Sequence, residues 1–265
     1  MIPKKIHYIW FGGKELTPLA EKCIESWKKY CPDYEIIRWD ENNFDINANR
    51  YCREAHEAGK WAFASDYARL WVLVNCGGIY MDTDVELIKS IDSFLSEKAF
   101  SGFEAKDRIP TGLMAAEAHH PLFEELLSDY ETRSFLLPDG TFDTRTNVET
   151  ITLTCLKYGL KLDNQRQVVG GFTLYPSDFF CPKDAKTLKV NLTSSSVAIH
   201  HFDGSWLGDS TRRVKEIKQR LFENAPWIPR GVVGILANVS YFVRTGDYAH
   251  ICRLVAGKFN KFYRG

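Results

Sequence analysis

Residues 61–84 constrain this chain more than any other stretch. Apolar residues at Phe63, Tyr67, Leu70, Trp71 and Val74 recur at helical spacing. Gly77 and Gly78 stop that helix, the first of them placed to leave it. Ile79, Tyr80 and Met81 then make a short apolar strand, which ends at two carboxylates, Asp82 and Asp84. Side chains two apart along a strand share a face. At the C-terminal end, where a loop begins, both acids can turn toward one hard divalent cation. Oxygen ligands suit Mg²⁺ or Mn²⁺, ions that in turn hold phosphate oxygens. A helix feeding a short apolar strand that opens on such a site points to an α/β sheet protein. The bare Asp-x-Asp triplet also occurs in ordinary turns, so its meaning depends on what surrounds it.

The N-terminal pattern agrees. Residues 6–11 (I-H-Y-I-W-F) read as a strand closed by Gly12 and Gly13. Thr17 and Pro18 supply a helix cap and first residue for a helix to about Tyr30. Pro32 and Asp33 break it, and residues 34–39 form the next strand. Strand, helix, strand is the opening of an α/β sheet. Further strands are predicted near 100–103, 112–115, 172–175 and 197–201, and helices near 121–133 and 148–158.

At 265 residues the chain has room for one large domain or a domain with an appendage. Lys+Arg and Asp+Glu both number 34, and this balance argues against bulk nucleic-acid binding. Aromatic residues make up 14%, which suits either a bulky core or stacking on sugars and bases. The cysteines (Cys23, Cys31, Cys52, Cys76, Cys155, Cys181 and Cys252) are odd in number and form no C-x-x-C pair. They read as reduced thiols rather than a disulfide frame or zinc site. The start of the chain lacks a signal-peptide shape, and no apolar run reaches the roughly 18 residues that span a bilayer. The expectation is a cytoplasmic protein.

Residues 226–265 differ from the rest. Val232, Ile235, Leu236, Val239, Phe242 and Val243 lie at helical spacing, as do Tyr248, Cys252, Val255, Phe259 and Phe262. Arg244, Arg253, Lys258, Lys261 and Arg264 face a single acid, Asp247. Such a basic amphipathic stretch either lies peripherally on an anionic membrane or packs on the domain with a solvated basic face. The expected division is a catalytic domain over 1–225 and a helical tail over 226–265.

Three further constellations carry chemistry. Asp66 and Arg69, preceded by Ser65, lie three apart on the helix before the Asp-x-Asp strand. They can grip vicinal sugar hydroxyls, or form an ordinary surface ion pair. Trp10, before the Gly-Gly turn, can stack on a nucleobase or belong to the core. His200 and His201, followed by Ser205 and Trp206, stand at a late strand end. A neutral imidazole there can complete a Mn²⁺-type site begun by Asp84, or sit satisfied in a loop.

In that order, Trp10, Ser65-Asp66-x-x-Arg69, Gly77-Gly78-x-Tyr80-x-Asp82-x-Asp84 and His201-x-x-x-Ser205-Trp206 resemble glycosyltransferase family 32. These are the Asp-x-Asp sugar-nucleotide transferases, including fungal initiating mannosyltransferases and bacterial capsule and lipopolysaccharide enzymes. The resemblance runs from Ile2 to about Trp206. It implies a GT-A fold, a mixed sheet flanked by helices, and metal-dependent retaining transfer of a hexose from a UDP- or GDP-sugar. The implied acceptor is a glycan or lipid-linked molecule, in a bacterial setting, and the implied metal is Mn²⁺ or Mg²⁺. By position, Trp10 stacks on the base, and Ser65, Asp66 and Arg69 touch ribose and sugar. Tyr80 approaches the phosphates. Asp82 binds ribose and metal-bound water, and Asp84 ligates the metal. His201 is the preferred late ligand, with His200 close behind. Ser205 and Trp206 close over the diphosphate, and Asn147 reaches the donor sugar.

Two other readings of the acids compete. A phosphohydrolase of the haloacid dehalogenase type also uses Asp-x-Asp after a strand, but needs a later acidic pair, and no Asp-Asp pair occurs here. A nucleotide-sugar binding module without turnover needs no intact acids, and this chain keeps them.

Overall fold

The computed structural model describes residues 1–109, 112–185, 187–204, 209–225 and 227–246. Strand β1 (Lys5–Ile9) passes through helix α1 (Pro18–Tyr30) to strand β2 (Glu35–Trp39), which pairs parallel to it. Thr17 starts α1 because its hydroxyl accepts the Ala20 N–H at 3.2 Å, with proline next in line. Ala20, Cys23, Ile24 and Trp27 form the buried stripe of α1. Each large side chain on it contributes about 1.5–3 kcal/mol by leaving water.

Helix α2 (Arg50–Glu57) was not anticipated, although Asn49 caps it by accepting the Cys52 N–H at 3.1 Å. Helix α3 (Trp61–Cys76) follows and ends where predicted, at Gly77. The φ of Gly77 is 62°, and a Cβ there would lie 2.7 Å from the Ala118 nitrogen. Gly78, at φ 99°, leaves similar room for the Lys5 carbonyl, at 2.8 Å from a Cβ. No other residue lets the chain turn from α3 into the sheet this tightly.

Strand β3 (Gly78–Met81) then enters between β1 and β6 (Leu113–Ala116), parallel to the first and antiparallel to the second. A short strand β4 (Val85–Leu87) lies between β3 and β5 (Ala99–Gly102) in the chain. Helix α4 (Pro121–Ser128), continued by one 3-10 turn, and helix α5 (Asn147–Lys157) precede the hairpin of β7 (Gln167–Val169) and β8 (Phe172–Tyr175). A short helix α6 (Ser177–Phe180) leads toward β9 (Ala198–His200).

The seven-stranded sheet has the order β2-β1-β3-β6-β5-β8-β7, and β4 and β9 make a separate antiparallel ladder. The α/β reading with a mixed central sheet therefore holds. Every residue of β3 is buried because both faces are covered. Tyr80 belongs to the core that includes Leu70 and Leu73 of α3, whereas Ile79 and Met81 belong to the core with Cys23 and Trp27 of α1.

The chain divides into two compact units, the first comprising Met1–Asp184 and Val190–Phe202. The second includes Ala185–Lys189 and helices α7 (Asp209–Asn224) and α8 (Arg230–Thr245), which pack on one another. The boundary expected at 225/226 falls inside this second unit, between its two helices. The predicted helical segment at 248–262 lies outside the described residues.

Candidate functional site

Strand directions gather the candidate residues. β1, β2 and β3 run the same way, β6 runs against them, and β5 and β8 return to the first direction. The chain leaves the parallel strands at one sheet edge, with Trp10 just past β1, Asp82 just past β3 and Glu104 two residues past β5. Ligands of open α/β sheets bind outside such carboxyl ends.

Arg69 is the hub of the buried part. Its Nη2 stands 3.3 Å from Asp66 Oδ1, and its Nη1 stands 3.4 Å from Asp82 Oδ1. Nε donates to the Ser65 carbonyl at 3.2 Å, and Nη2 to the Ser65 hydroxyl at 3.1 Å. The guanidinium lies 4.6 Å from the centre of the Tyr80 ring, whose hydroxyl donates to Asp82 Oδ1 at 2.7 Å. Thus α3 and β3, joined by the glycine turn, bring one cation between two carboxylates. The pair is no surface ion pair, since both Asp66 and Arg69 are buried.

Asp66 also meets the start of α5. The Asn147 N–H donates to Asp66 Oδ2 at 3.3 Å, and the Asn147 amide donates to the Asp66 carbonyl at 2.8 Å. A helix N-terminus favours an anion. Burial nonetheless dominates and, against the pull of Arg69, pushes the Asp66 carboxyl up to about 6. Burial opposes the Arg69 charge, and Asp82, Tyr80 and Asp66 outweigh it, raising its pKa.

Asp82, Asp84 and His200 form the second part, with one ligand atom from each lying within 4.8 Å of the others. His200 Nε2 is 3.4 Å from Asp84 Oδ1. Burial resists protonation of His200, but the facing Asp84 carboxylate and then Cys181 hold its pKa well above the ordinary value. The His200 Nδ1 atom is buried with no hydrogen-bond partner. Gly112 closes the cradle: a Cβ there would approach His200 Nδ1 to 3.1 Å and Asp82 Oδ2 to 3.4 Å. Its carbonyl accepts the Asp82 N–H at 2.7 Å. Two carboxylates and an imidazole around a space kept clear of side chains fit a hard divalent cation such as Mn²⁺ or Mg²⁺.

The structure corrects three of the sequence expectations. His201 does not join Asp84. Its Nε2 donates to Glu86 Oε2 at 2.8 Å, and Lys22 binds the same carboxylate at 2.8 Å. Adjacent residues on a strand point to opposite faces, so only one histidine of the pair can enter the site. Asn147 is buried and its side chain is engaged: Nδ2 binds the Asp66 carbonyl and Oδ1 accepts the Tyr130 hydroxyl at 2.7 Å. It holds Asp66 rather than offering itself to a sugar. The Tyr80 hydroxyl likewise faces Asp82 and not open space. Trp10 is half-buried, with its indole N–H donating to the Lys14 carbonyl at 2.7 Å. Ser205 and Trp206 lie outside the described residues.

Glu104 was not singled out from sequence. It follows β5 at the same edge, is half-buried, and its carboxyl is raised chiefly by burial, with His200 the largest opposing influence. A lone glutamate between two short strands carries no motif, and only the topology brings it here.

Compared with known proteins, residues 18–101 match the family described as "Glycosyltransferase sugar-binding region containing DXD motif". That stretch holds Ser65, Asp66, Arg69, Asp82 and Asp84, and ends before Glu104, Asn147 and His200. The chain is 28% identical over 177 residues to inositol phosphoceramide mannosyltransferase 2 of Schizosaccharomyces pombe, covering 62% of this chain and 49% of that one. It is 28% identical over 142 residues to an uncharacterised glycosyltransferase of Acanthamoeba polyphaga mimivirus, covering 49% and 55%. The chain thus spans about half the length of these curated relatives. Among solved structures, a glycosyltransferase involved in glycosylation of the major capsid of PBCV-1 aligns at TM-score 0.43 and 15% identity, over 76% of this chain and 94% of that one. The family match agrees with the resemblance read from the motifs: residues 18–101 are similar to the sugar-binding region of glycosyltransferases that contain a DXD motif.

Proposed function

We propose that the protein is a metal-dependent glycosyltransferase that moves a hexose from a UDP- or GDP-sugar to a glycan or lipid-linked acceptor. One observation carries this reading. Asp82 belongs at once to the Arg69 cluster and to the Asp82-Asp84-His200 group, so a guanidinium and a cation position flank one point. A diphosphate is the ligand such a point suits. Bound there by Asp82, Asp84 and His200, Mn²⁺ or Mg²⁺ supplies Lewis-acid stabilisation of the leaving diphosphate.

The chain's own residues do the rest. Arg69, held in place by Ser65 and both carboxylates, faces the negative charge that grows as the glycosidic bond breaks. Asp66 and Ser65 bind hydroxyls of the donor, and Trp10 stacks on its base. Residues 1–202, apart from a short excursion, form the donor-binding domain. Following the family resemblance, transfer is retaining and proceeds on one face: the acceptor oxygen bonds to the anomeric carbon as the diphosphate oxygen leaves, and the acceptor proton passes to the diphosphate. Trapping a covalent glycosyl-enzyme would overturn this route.

The relatives bear on the acceptor. Two are named as mannosyltransferases of inositol phosphoceramide, a lipid, which favours the lipid-linked member of the two acceptor classes expected from sequence and lends nothing to a bacterial capsule or lipopolysaccharide setting. The family match lends nothing to the phosphohydrolase or to the binding module without turnover.

The test is hydrolysis across a panel of nucleotide sugars with Mn²⁺. Asp84→Asn and His200→Ala should each lower metal-dependent turnover by about a hundredfold or more, the scale of losing a principal charge-stabilising group. His201→Ala should stay near the parent. Unchanged turnover in Asp84→Asn would defeat the assignment.

A further inference from the structure

The neutral net charge of this chain hides a strong polarisation. Residues 203–265 carry eleven Lys and Arg against five Asp and Glu, whereas residues 1–202 carry twenty-three against twenty-nine. The positive excess coincides with the second compact unit, where α7 packs along α8.

Helix α8 has two apolar faces. Val233 and Ala237, one turn apart, are fully buried. Val232, Ile235, Leu236 and Val243 are instead 38–48% exposed. At 3.6 residues per turn these four fall on one stripe, offset from the buried pair. In the connection between the helices, Trp227 is 81% exposed. Arg213 and Arg220 of α7 and Arg244 of α8 are exposed as well. No helix among the described residues is long and apolar enough to cross a membrane.

We propose that the α7–α8 unit docks the protein on an anionic lipid surface. The exposed stripe of α8 and the Trp227 indole enter the interface, and basic residues such as Arg213, Arg220 and Arg244 meet the headgroups. Stable attachment without a spanning helix takes two signals, one apolar and one electrostatic, and this unit presents both. Trp is suited to the boundary because its ring is apolar and its N–H is polar. The charge argues for lipid over a second copy of this unit or the end of the chain. A second α7–α8 unit, or residues 247–265 with four basic residues against one acid, would bring positive charge to positive charge. The inference stands apart from the transferase reading, since it uses none of the site residues.

The test is sedimentation of the full chain with vesicles of phosphatidylcholine alone and of equal parts phosphatidylcholine and phosphatidylglycerol. Binding to the anionic vesicles should be at least about tenfold tighter and should weaken with added salt. The double variant Ile235→Asp, Leu236→Asp should lower that partitioning about tenfold or more, because it sets two charges in the apolar stripe. Its thermal melting and donor hydrolysis in free solution should match the parent, as both positions are exposed. Absence of binding to anionic vesicles, or binding indifferent to the double variant, would overturn the proposal. So would a concentration-dependent dimer that the same variant abolishes, which would assign the stripe to a second copy.

Discussion

Arg69 and Arg133 are both buried, both lie over tyrosine rings and both stand between two carboxylates, yet Asp66 beside the first and Asp143 beside the second shift in opposite directions. Arg133 is closed on all sides. Nε and Nη2 donate to Asp143 Oδ2 at 3.1 and 2.9 Å, Nη2 to the Arg145 carbonyl at 3.2 Å, and Nη1 to Asp129 at 3.4 Å. Burial would raise the Asp143 carboxyl, but the Arg145 N–H and Arg133 together hold it below its ordinary value. Around Arg69 the two carboxylates stand off at 3.3 and 3.4 Å, and Asp66 is pushed up by burial. The first arrangement is complete as folded. The second holds a carboxyl that burial raises, next to the Asp82-Asp84-His200 group, and shifted groups of that kind mark candidate sites.

The same substitution at both positions should separate them. Arg69→Met should lower donor turnover by about a hundredfold or more, measured as sugar-nucleotide hydrolysis at saturating Mn²⁺. Its melting temperature should fall less than that of the partner variant, because Asp66 can take up a proton when its cation is gone. Arg133→Met should do the reverse. It leaves half-buried Asp143 with Arg145 as its remaining partner, at a cost of roughly 1–3 kcal/mol by denaturant titration, while turnover of the folded fraction stays near the parent. Equal activity losses in the two variants would erase the distinction.

The smallest effect concerns Asp66 itself. A carboxyl raised from 3.8 to about 6 favours the folded state fully below the lower value, and that stability is lost as pH rises through the upper one. Asp66→Asn removes the dependence. Without donor, the variant should be more stable than the parent at pH 7 by up to about 3 kcal/mol, at 1.36 kcal/mol per pH unit. The gap should close by pH 4, and donor turnover should be lost. A parent whose melting tracks the variant at every pH would show that the charge around Arg69 is already satisfied.

Much of the first half of this molecule was legible in its sequence. Thr17-Pro18, the apolar spacing of α3 and the Gly77-Gly78 stop are local signals, and local signals predict the elements that Ser65, Asp66, Arg69, Asp82 and Asp84 occupy. The far side of the site was not legible in the same way. Asn147 and Glu104 arrive through pairings of β5, β6 and α5 with elements remote in sequence, and no local pattern marks them. Strand β4 is three residues long and was missed, and the choice between His200 and His201 depends on its register with β9. Helix α2 was missed for a lesser reason. It is eight residues long, and only Tyr51, Cys52 and Ala55 of it are buried, too few for a helical periodicity to stand out in the sequence.

The β4–β9 ladder sets Val85 opposite His200 and continues with the His201 N–H on the Asp84 carbonyl at 2.9 Å. Because alternate residues face opposite ways, a slip of one residue along β9 would turn His200 out and His201 in. The tandem histidines therefore act as a form of insurance. A single-residue deletion in the connection before β9, which draws His201 into the place of His200, still leaves an imidazole beside Asp84.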